Sequence, residues 1–260
     1  AGGSFAYTRR EPLGVCGGIG AWNYPIQGAA WKLGPALCGG NALVFKPAEA
    51  TVLTALALAE VVVEAGAPPG LFNVVLGAGG TGQLLSTHGD IKKISFTGEA
   101  GTGKAISRDA AGTLKKVTME LGGKSPLIIF DDADLPNAVA AAMMANWYSC
   151  GEVCSNGTRV FVHKDIREAF LEQLLARTAK LKIGDPMDPA TDVGAMINEA
   201  HLQTVLSYIE KGVAEGGRML AGSAERHVPA DPALAGGAFV APVVFDGVGD
   251  DATIVREEIF

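Results

Sequence analysis

The sequence has few of the features that mark metal-binding or nucleic-acid-binding proteins. Its four cysteines, Cys16, Cys38, Cys150 and Cys154, include no CxxC pair, and its four histidines are scattered along 260 residues. Both observations argue against a zinc site, so we expect no bound metal. The formal net charge of −7 and the lack of a Lys/Arg-rich run disfavour nucleic acids and anionic membranes as partners.

Long apolar runs and targeting signals are missing as well. The apolar stretch at residues 52–63 is too short to cross a bilayer and contains Glu60. The first ten residues, AGGSFAYTRR, lack the apolar segment of a secretory signal. We therefore expect a cytoplasmic protein with free thiols, because disulfides are rare in reducing compartments. The chain has no initiator Met and ends in EEIF, which we interpret as two cuts through a longer protein.

The pattern of apolar residues predicts an α/β fold. Hydrophobic residues make up 48% of the chain and charged residues 19%, a balance that can fill a core. Short apolar runs alternate with helical patterns, which is typical of βαβ units and a mostly parallel sheet. A glycine pair at residues 122–123 predicts a boundary between two domains, 1–121 and 122–260. Strands are predicted at residues 14–21, 42–45, 72–76, 93–97, 117–121, 126–130, 159–163 and 238–245, and helices at 26–37, 51–65, 81–86, 103–110, 135–148, 166–181 and 199–215.

Two glycine-rich loops each follow a predicted strand and are candidates for holding a dinucleotide. Residues 77–82 (GAGGTG) fit the GxGxxG pattern, and Glu99 lies downstream at the distance of a ribose-binding acid. A chain with 35 glycines also produces such a pattern by chance. The second loop runs from Ser95 through Gly98 to Gly103, where free backbone N–H groups at a helix start can hold a pyrophosphate. Glu99 opposes that anion, so the sequence alone leaves the two loops at even odds.

Further segments carry side chains that can bind a ligand or react with one. Lys46 and Glu49 follow a predicted strand and suit ribose hydroxyls, although a solvent-exposed ion pair is the alternative. Cys154 lies in a glycine-flanked turn, CGEVCSNG, where a thiol can be exposed and reactive. A cysteine is otherwise often a small buried hydrophobe. Glu120 ends a β-rich run and is either a cleft residue or an ordinary ion-pair partner.

Together these segments resemble the aldehyde dehydrogenase superfamily over essentially the whole chain. The matching stretches are residues 12–15 (PLGV), 21–25 (AWNYP), 45–49 (FKPAE), 95–98 (SFTG), 120–126 (ELGGKSP), 151–154 (GEVC) and 257–260 (EEIF). Residues 7–16 (YTRREPLGVC) and 154–162 (CSNGTRVFV) are most similar to the betaine aldehyde and 4-trimethylaminobutyraldehyde dehydrogenases. The resemblance implies a Rossmann-like NAD-binding domain at 1–121 and a catalytic domain at 122–260, each incomplete.

The resemblance also implies a set of catalytic roles. Cys154 is the nucleophile, and Glu120 is the general base that activates the hydrolytic water. The side-chain amide of Asn23 and the backbone N–H of Cys154 hold the oxyanion. Lys32 is similar to a lysine of a proton-exit path, with a surface lysine whose stem packs on apolar groups as the alternative.

Cofactor and substrate residues follow from the same resemblance. The loop with Ser95, Gly98 and Glu99 faces the pyrophosphate, and the 77–82 loop becomes a turn near the adenosine end. The cofactor is expected to be NAD, because a carboxylate at Glu49 would repel a 2′-phosphate. Aromatic side chains able to bind a trimethylammonium group are placed at cage positions, with core packing as the alternative. The implied cofactor contacts are Lys46, Glu49, Ser95, Gly98, Glu99, Leu121, Glu258, Phe260 and Trp22, and the substrate contacts are Tyr24, Trp31 and Tyr148.

Two departures and several competing interpretations remain. Glu99 stands where many members have Ser or Gly, and Glu152 replaces the commoner Gln before the nucleophile. A semialdehyde or acyl-CoA-forming relative would keep Cys154, but Glu120 favours hydrolysis. A catalytically silent relative is expected to lack Cys154, Asn23 or Glu120, and all three are present. A Rossmann alcohol dehydrogenase has no role for Cys154. We expect the complete protein to act on a small aldehyde as a homo-oligomer.

Overall fold

Parallel strands and the helices between them build the first unit of the protein. The structure, a computed structural model, describes residues 2–260, and it divides between Leu121 and Gly122 into two units. The strands of the first unit are β1 (Val15–Ile19), β2 (Ala42–Lys46), β3 (Phe72–Val74), β4 (Ile91–Gly98) and β5 (Lys116–Leu121). They form one sheet in the order β3-β2-β1-β4-β5, and every neighbouring pair is parallel.

Helices cover both faces of this sheet, because side chains alternate along each strand. The helices are α1 (Pro25–Cys38), α2 (Leu53–Glu64), α3 (Gly79–Thr87) and α4 (Ala100–Ala111). Leu43 and Phe45 of β2 pack with residues of α1 and α2 in one core cluster. Val44 between them packs against the second cluster, to which α3 and α4 contribute Leu85 and Ile106. This doubly wound arrangement confirms the predicted α/β class.

The second unit contains two small sheets. Strands β6 (Pro126–Ile129) and β7 (Arg159–Val162) are parallel, and β8 (Arg218–Ala221) and β9 (Val244–Asp246) are antiparallel. Its helices are α5 (Leu135–Trp147), α6 (Arg167–Thr178), α7 (Glu199–Ala214) and the short α8 (Thr253–Arg256). Within residues 2–260, no helix is both long and apolar enough to cross a membrane.

Two clusters of buried apolar residues hold the second unit together. Val139 of α5 and Phe170 of α6 pack on Ile129 of β6. A separate cluster is centred on α7 and includes Leu202 and Leu206. Side chains cap two of these helices: Asp134 accepts a hydrogen bond from Asn137 N at the start of α5, and Asn198 accepts from His201 N at the start of α7.

One predicted strand is largely wrong. The apolar residues 238–245 form a strand only at Val244–Asp246. Before that strand, Ala238 O accepts from Met196 N and Phe239 O accepts from His227 N, so these backbone groups bond to loops. Phe239 is buried all the same, which explains an apolar pattern without strand pairing. The partner strand β8 and the helix α8 were not predicted, because each has only four residues and a weak pattern.

A buried asparagine joins the start of β1 to the end of α1. The Oδ1 atom of Asn41 accepts hydrogen bonds from Leu13 N at 2.6 Å and Gly14 N at 3.0 Å. Its Nδ2 atom donates to Ala36 O at 3.2 Å. Asn41 is 7% exposed, so water cannot readily replace these bonds.

Asn41→Ala should therefore lower the free energy of unfolding by about 2–4 kcal/mol, because the backbone N–H groups of Leu13 and Gly14 lose their buried acceptor and the Ala36 carbonyl loses its donor. Urea denaturation of the complete protein measures this change. Asn73→Ala is the matched control, since Asn73 only donates, through an exposed hydrogen bond to Gly70 O and a long one of 3.5 Å to Leu43 O, and its loss should cost less than about 1 kcal/mol. Equal losses in the two variants would contradict the structural role given to Asn41.

Candidate active site

The topology of the first sheet indicates where a ligand can bind. Strand β1 lies between β2 and β4, so the chain winds outward to β3 and then returns to the other side of β1. In open α/β sheets ligands bind beyond the carboxyl ends of the strands at such a switch point. Trp22 and Asn23 follow β1 there, and Thr97 and Gly98 end β4. Both Trp22 and Asn23 are half-buried and engaged in contacts.

A buried lysine lies at the same edge of the sheet. Lys32 of α1 is 6% exposed and donates a hydrogen bond to Thr97 Oγ1 at 2.6 Å. Burial lowers the pKa of Lys32 to about 8, and the carboxylate of Glu120 partly opposes that shift. The alternative of a surface lysine is therefore wrong. A lysine with this pKa can exchange its proton near neutral pH.

Glu120 extends this polar group along the sheet edge. It lies on β5 directly opposite Thr97 of β4, in register. The side chain of Glu120 is exposed, so its carboxylate is accessible to water. Lys32, Thr97 and Glu120 thus place an ammonium, a hydroxyl and a carboxylate at the carboxyl ends of two neighbouring strands. Thr97 is not among the candidate site residues named from the sequence, and its only signal there is its place in the SFTG motif.

A second lysine and a glutamate lie at the end of β2. Lys46 is 4% exposed, with its Nζ 3.0 Å from Pro47 O and 3.6 Å from Glu49 Oε1. The carboxylate of Glu49 is exposed. The alternative of a fully solvent-exposed pair is therefore wrong for Lys46. An open carboxylate beside an anchored ammonium offers one acceptor group and one donor group, which fits the hydroxyls of a ribose.

The start of α4 differs from what the sequence predicts. Its backbone N–H groups were expected to be free for a pyrophosphate, but the carboxylate of Glu99 takes two of them. Glu99 Oε1 accepts from Gly101 N at 2.5 Å and Oε2 accepts from Thr102 N at 2.9 Å. These bonds also lower the pKa of Glu99. Any anion at this helix start has to displace the Glu99 carboxylate or bind beside it.

The GxGxxG loop at residues 77–82 lies away from the switch point. It follows β3, which is the edge strand of the sheet. Gly77 has a φ of +146°, and a Cβ atom there would fall 2.1 Å from Thr81 Oγ1. Gly77 thus serves the turn into α3, and the topology favours the loop of Ser95 and Gly98 over the 77–82 loop as the candidate dinucleotide loop.

The three proposed cage aromatics are not core residues of their units. Trp31 of α1 is 61% exposed and Tyr148 is 58% exposed. Tyr24 is half-buried at the residue before α1. The core-packing alternative is therefore wrong for Trp31 and Tyr148, whose rings are available for contact.

The turn that carries Cys154 belongs to the second unit. Cys154 is an exposed free thiol, so the small buried hydrophobe is the wrong interpretation. Cys150 is half-buried, and burial raises the pKa of its thiol. The carbonyl of Gly151 accepts from Val153 N at 2.9 Å and from Asn156 Nδ2 at 2.7 Å. These two bonds form on either side of Cys154 in the sequence.

Glu258 packs against the start of the second unit. A Cβ atom on Gly122 would fall 1.6 Å from Glu258 Oε2, so only glycine leaves room for this carboxylate. Burial lowers the pKa of nearby Lys124 to about 8, helped by Arg159 and opposed by Glu258. At the end of the chain, Phe260 O lies 3.2 Å from His201 Nε2.

One group of possible metal ligands is found in the second unit. Ligand atoms of Asp131, His163 and Asp165 lie within 4.8 Å of one another. They follow β6 and β7, whereas Cys154 precedes β7. The two aspartates are exposed, and exposed acidic groups are common on proteins without a bound ion.

Comparison with known proteins gives a consistent result along the whole chain. The model of the aldehyde dehydrogenase family matches residues 1–260. A betaine aldehyde dehydrogenase of Brucella anthropi is 59% identical over 259 residues, which are 100% of this chain and 53% of that protein. The chain thus spans about half the length of the curated relatives it matches.

Solved structures agree with the sequence comparison. A double mutant of betaine aldehyde dehydrogenase from Staphylococcus aureus, in complex with NAD+, has a TM-score of 0.92 and 40% identity, over 96% of this chain and 49% of that one. An NADP-dependent enzyme of E. coli has a TM-score of 0.90 and 36% identity, over 96% and 50%. This chain belongs to the aldehyde dehydrogenase family.

Proposed function

We propose that the complete protein oxidises an aldehyde to a carboxylic acid with NAD, through a thioester on Cys154. The exposed thiol of Cys154, held in a hydrogen-bonded turn of a chain from this family, is the observation that carries the proposal. An exposed thiol can meet an electrophilic carbon, whereas a buried one is inert.

In the first step the thiolate of Cys154 attacks the aldehyde carbon and forms a thiohemiacetal. The negative charge on its oxygen is stabilised by the amide of Asn23 and the backbone N–H of Cys154. The bound nicotinamide supplies the acceptor for the hydride that leaves this carbon. Cys154 then carries an acyl group in a thioester bond.

The second step is hydrolysis of that thioester. Glu120 removes a proton from water, and the resulting hydroxide attacks the acyl carbon and releases Cys154. The accessible carboxylate of Glu120 supports this role. Lys32 bonds to Thr97, the residue opposite Glu120, and its pKa of about 8 suits it to pass the proton onward. Glu120 favours hydrolysis over transfer of the acyl group to a thiol such as CoA.

The cofactor is proposed to be NAD rather than NADP. Glu49 offers an exposed carboxylate that accepts from two ribose hydroxyls and repels a 2′-phosphate. Lys46 works against this preference because its ammonium attracts the same phosphate, but it is buried and bonded to Pro47 O. Ser95, Gly98 and Leu121 would lie along the dinucleotide, and Glu258 would bind the nicotinamide ribose. Trp22 and Phe260 are further proposed contacts of the cofactor.

The substrate is proposed to be betaine aldehyde or a similar amino or trimethylammonio aldehyde. The name of the Brucella relative and the exposed rings of Trp31 and Tyr148 support this choice. An aromatic face attracts a quaternary ammonium group through its quadrupole. Tyr24 is the third proposed ring. A broader aldehyde range or a semialdehyde is the competing substrate class within the same family.

We also propose that the protein works as a homo-oligomer in the cytoplasm. All four cysteines are free thiols, which suits a reducing compartment. The oligomer is proposed from the resemblance to the aldehyde dehydrogenases.

Glu120→Gln should separate the two chemical steps. The variant should form about one NADH per site in a fast burst and then stall, because the thioester is no longer hydrolysed. Stopped-flow absorbance of the complete protein with NAD and betaine aldehyde measures the burst. Glu168→Gln on the exposed side of α6 is the control and should turn over normally. Sustained turnover by Glu120→Gln would refute its role as the base, and loss of the burst would place Glu120 before hydride transfer.

Glu49→Ser should shift the cofactor preference. The substitution removes a like-charge repulsion on the order of a few kcal/mol between the carboxylate and a 2′-phosphate, so kcat/KM for NADP should rise at least tenfold. It also removes the acceptor for the ribose hydroxyls, so NAD should bind several-fold more weakly. Steady-state kinetics with both cofactors give this ratio. Glu60→Ser on the exposed face of α2 should leave it unchanged. An unaltered ratio in Glu49→Ser would remove the main physical support for NAD.

Glu99→Ser should tighten the binding of NAD at least threefold. The serine hydroxyl can still cap α4. The substitution removes a negative charge from the helix start and frees a backbone N–H group for a phosphate. Isothermal titration of NAD into the complete protein measures the dissociation constant without turnover. Glu99→Gln, which is neutral and equally long, should give an intermediate value. Weaker binding in both variants would show that the Glu99 carboxylate assists the cofactor.

A further inference from the structure

The turn before Cys154 has an uncommon backbone conformation. Ser149 has φ 52° and ψ 42°, and Cys150 has φ 58° and ψ 18°. Gly151 follows with a φ of +81°. L-residues with a side chain rarely adopt this left-handed region, because the Cβ atom crowds the backbone. Three successive left-handed residues therefore need contacts elsewhere to hold them.

One set of contacts ties the far end of this turn, beyond Cys154, to α5. Gly157 N donates to Ala145 O at 3.1 Å, and Asn146 Nδ2 donates to Gly157 O at 3.3 Å. These two hydrogen bonds fix the part of the turn on the C-terminal side of Cys154. The left-handed residues lie on the other side of Cys154 and are held by different partners.

Those partners lie in the segment that leads into α7. Glu152 Oε1 accepts a hydrogen bond from Ile197 N at 3.0 Å. The Sγ atom of Cys150 lies 3.6 Å from the position of a Cβ atom on Gly194. Glu152 also lies 3.8 Å from His201 Nε2, on the first turn of α7. The turn is thus tied to the segment 194–201 through side chains on both sides of Gly151.

We propose that Glu152 is a positioning residue, whose carboxyl group holds the left-handed turn to Ile197 N and thereby fixes Cys154. Glu152 directly follows Gly151, whose carbonyl binds Val153 N and Asn156 Nδ2. If the turn relaxes, the Gly151 carbonyl rotates and those two donors move with it. Val153 directly precedes Cys154, so the thiol is displaced together with its backbone N–H.

The hydrogen-bond acceptor, and not the charge, is what this role requires. Glu152 is 8% exposed, and burial raises its pKa to about 7 while the Ile197 amide opposes that rise. A carboxyl group with this pKa is partly protonated at neutral pH and still accepts from Ile197 N. Glutamine at this position has the same length and the same acceptor oxygen.

Amide hydrogen exchange of the complete protein, followed by mass spectrometry, tests the proposal. Glu152→Asp keeps the charge but falls one methylene short of Ile197 N, and Glu152→Leu keeps the volume without an acceptor. Both should speed exchange in residues 149–157 at least tenfold. Glu152→Gln should stay within threefold of the original protein. Peptides of α6 should be unchanged in every variant, which shows that the unit is folded.

Kinetics supply a second readout. The inference rests on the proposed function only in taking Cys154 as the nucleophile, and the exchange measurement is independent of that role. In Glu152→Asp, kcat should fall at least tenfold while the dissociation constant of NAD stays within twofold, and Glu152→Gln should restore kcat. Equal exchange in all variants would overturn the inference. So would fast exchange in Glu152→Gln with unchanged exchange in Glu152→Asp, since charge and not the acceptor would then be the determinant.

Discussion

Strand β1 pairs in parallel with β2 on one side and with β4 on the other, and the polar side chains of the first unit are placed by that arrangement. The pairing brings the carboxyl ends of β1 and β4 together at a switch point. Because α1 follows β1, it can carry Lys32 to Thr97 at the end of β4. Without the β1–β4 pairing, residues 65 positions apart in sequence would have no reason to meet.

Lys32, Lys46 and Glu152 are buried although their burial lowers the stability of the fold. Burying an ionised side chain costs free energy unless a partner compensates. Lys32 bonds to Thr97, Lys46 to Pro47 O, and Glu152 accepts from Ile197 N. An apolar residue at any of these positions would avoid the cost of burial. Their presence there marks these three side chains as candidates for a role in binding, catalysis or positioning.

The sequence predicts the architecture better than it predicts the site. The spacing of apolar residues along the chain reflects which side chains are buried in a strand or a helix. The strands and helices of the first unit could therefore be located within a few residues. The same reasoning failed at residues 238–245, where Phe239 is buried in a loop. Sequence spacing also could not show that Glu99 caps its own helix, because the carboxylate reaches the N–H groups only through its rotamer. Cys154 and Glu120 are proposed as site residues from family motifs, which record chemistry, and periodicity alone does not single them out.

Neither apolar periodicity nor residue spacing predicts the contacts of Glu152, which the sequence marks only as a departure from the commoner glutamine. Its contact with Ile197 joins residues 45 positions apart and depends on the folded second unit. The left-handed conformation of Ser149 and Cys150 is likewise invisible in the sequence, since neither residue type favours it. Long-range contacts and backbone strain of this kind are decided by tertiary structure.

The central claim is that Cys154 carries the acyl group during aldehyde oxidation. Rapid quenching of the complete protein with NAD and betaine aldehyde, followed by peptide mass spectrometry, tests it directly. The peptide containing Cys154 should gain the mass of the acyl group within the first turnover, lose it as the acid appears, and show no adduct in Cys154→Ala. Formation of NADH and acid without an acyl group on Cys154, or undiminished turnover by Cys154→Ala, would contradict the account.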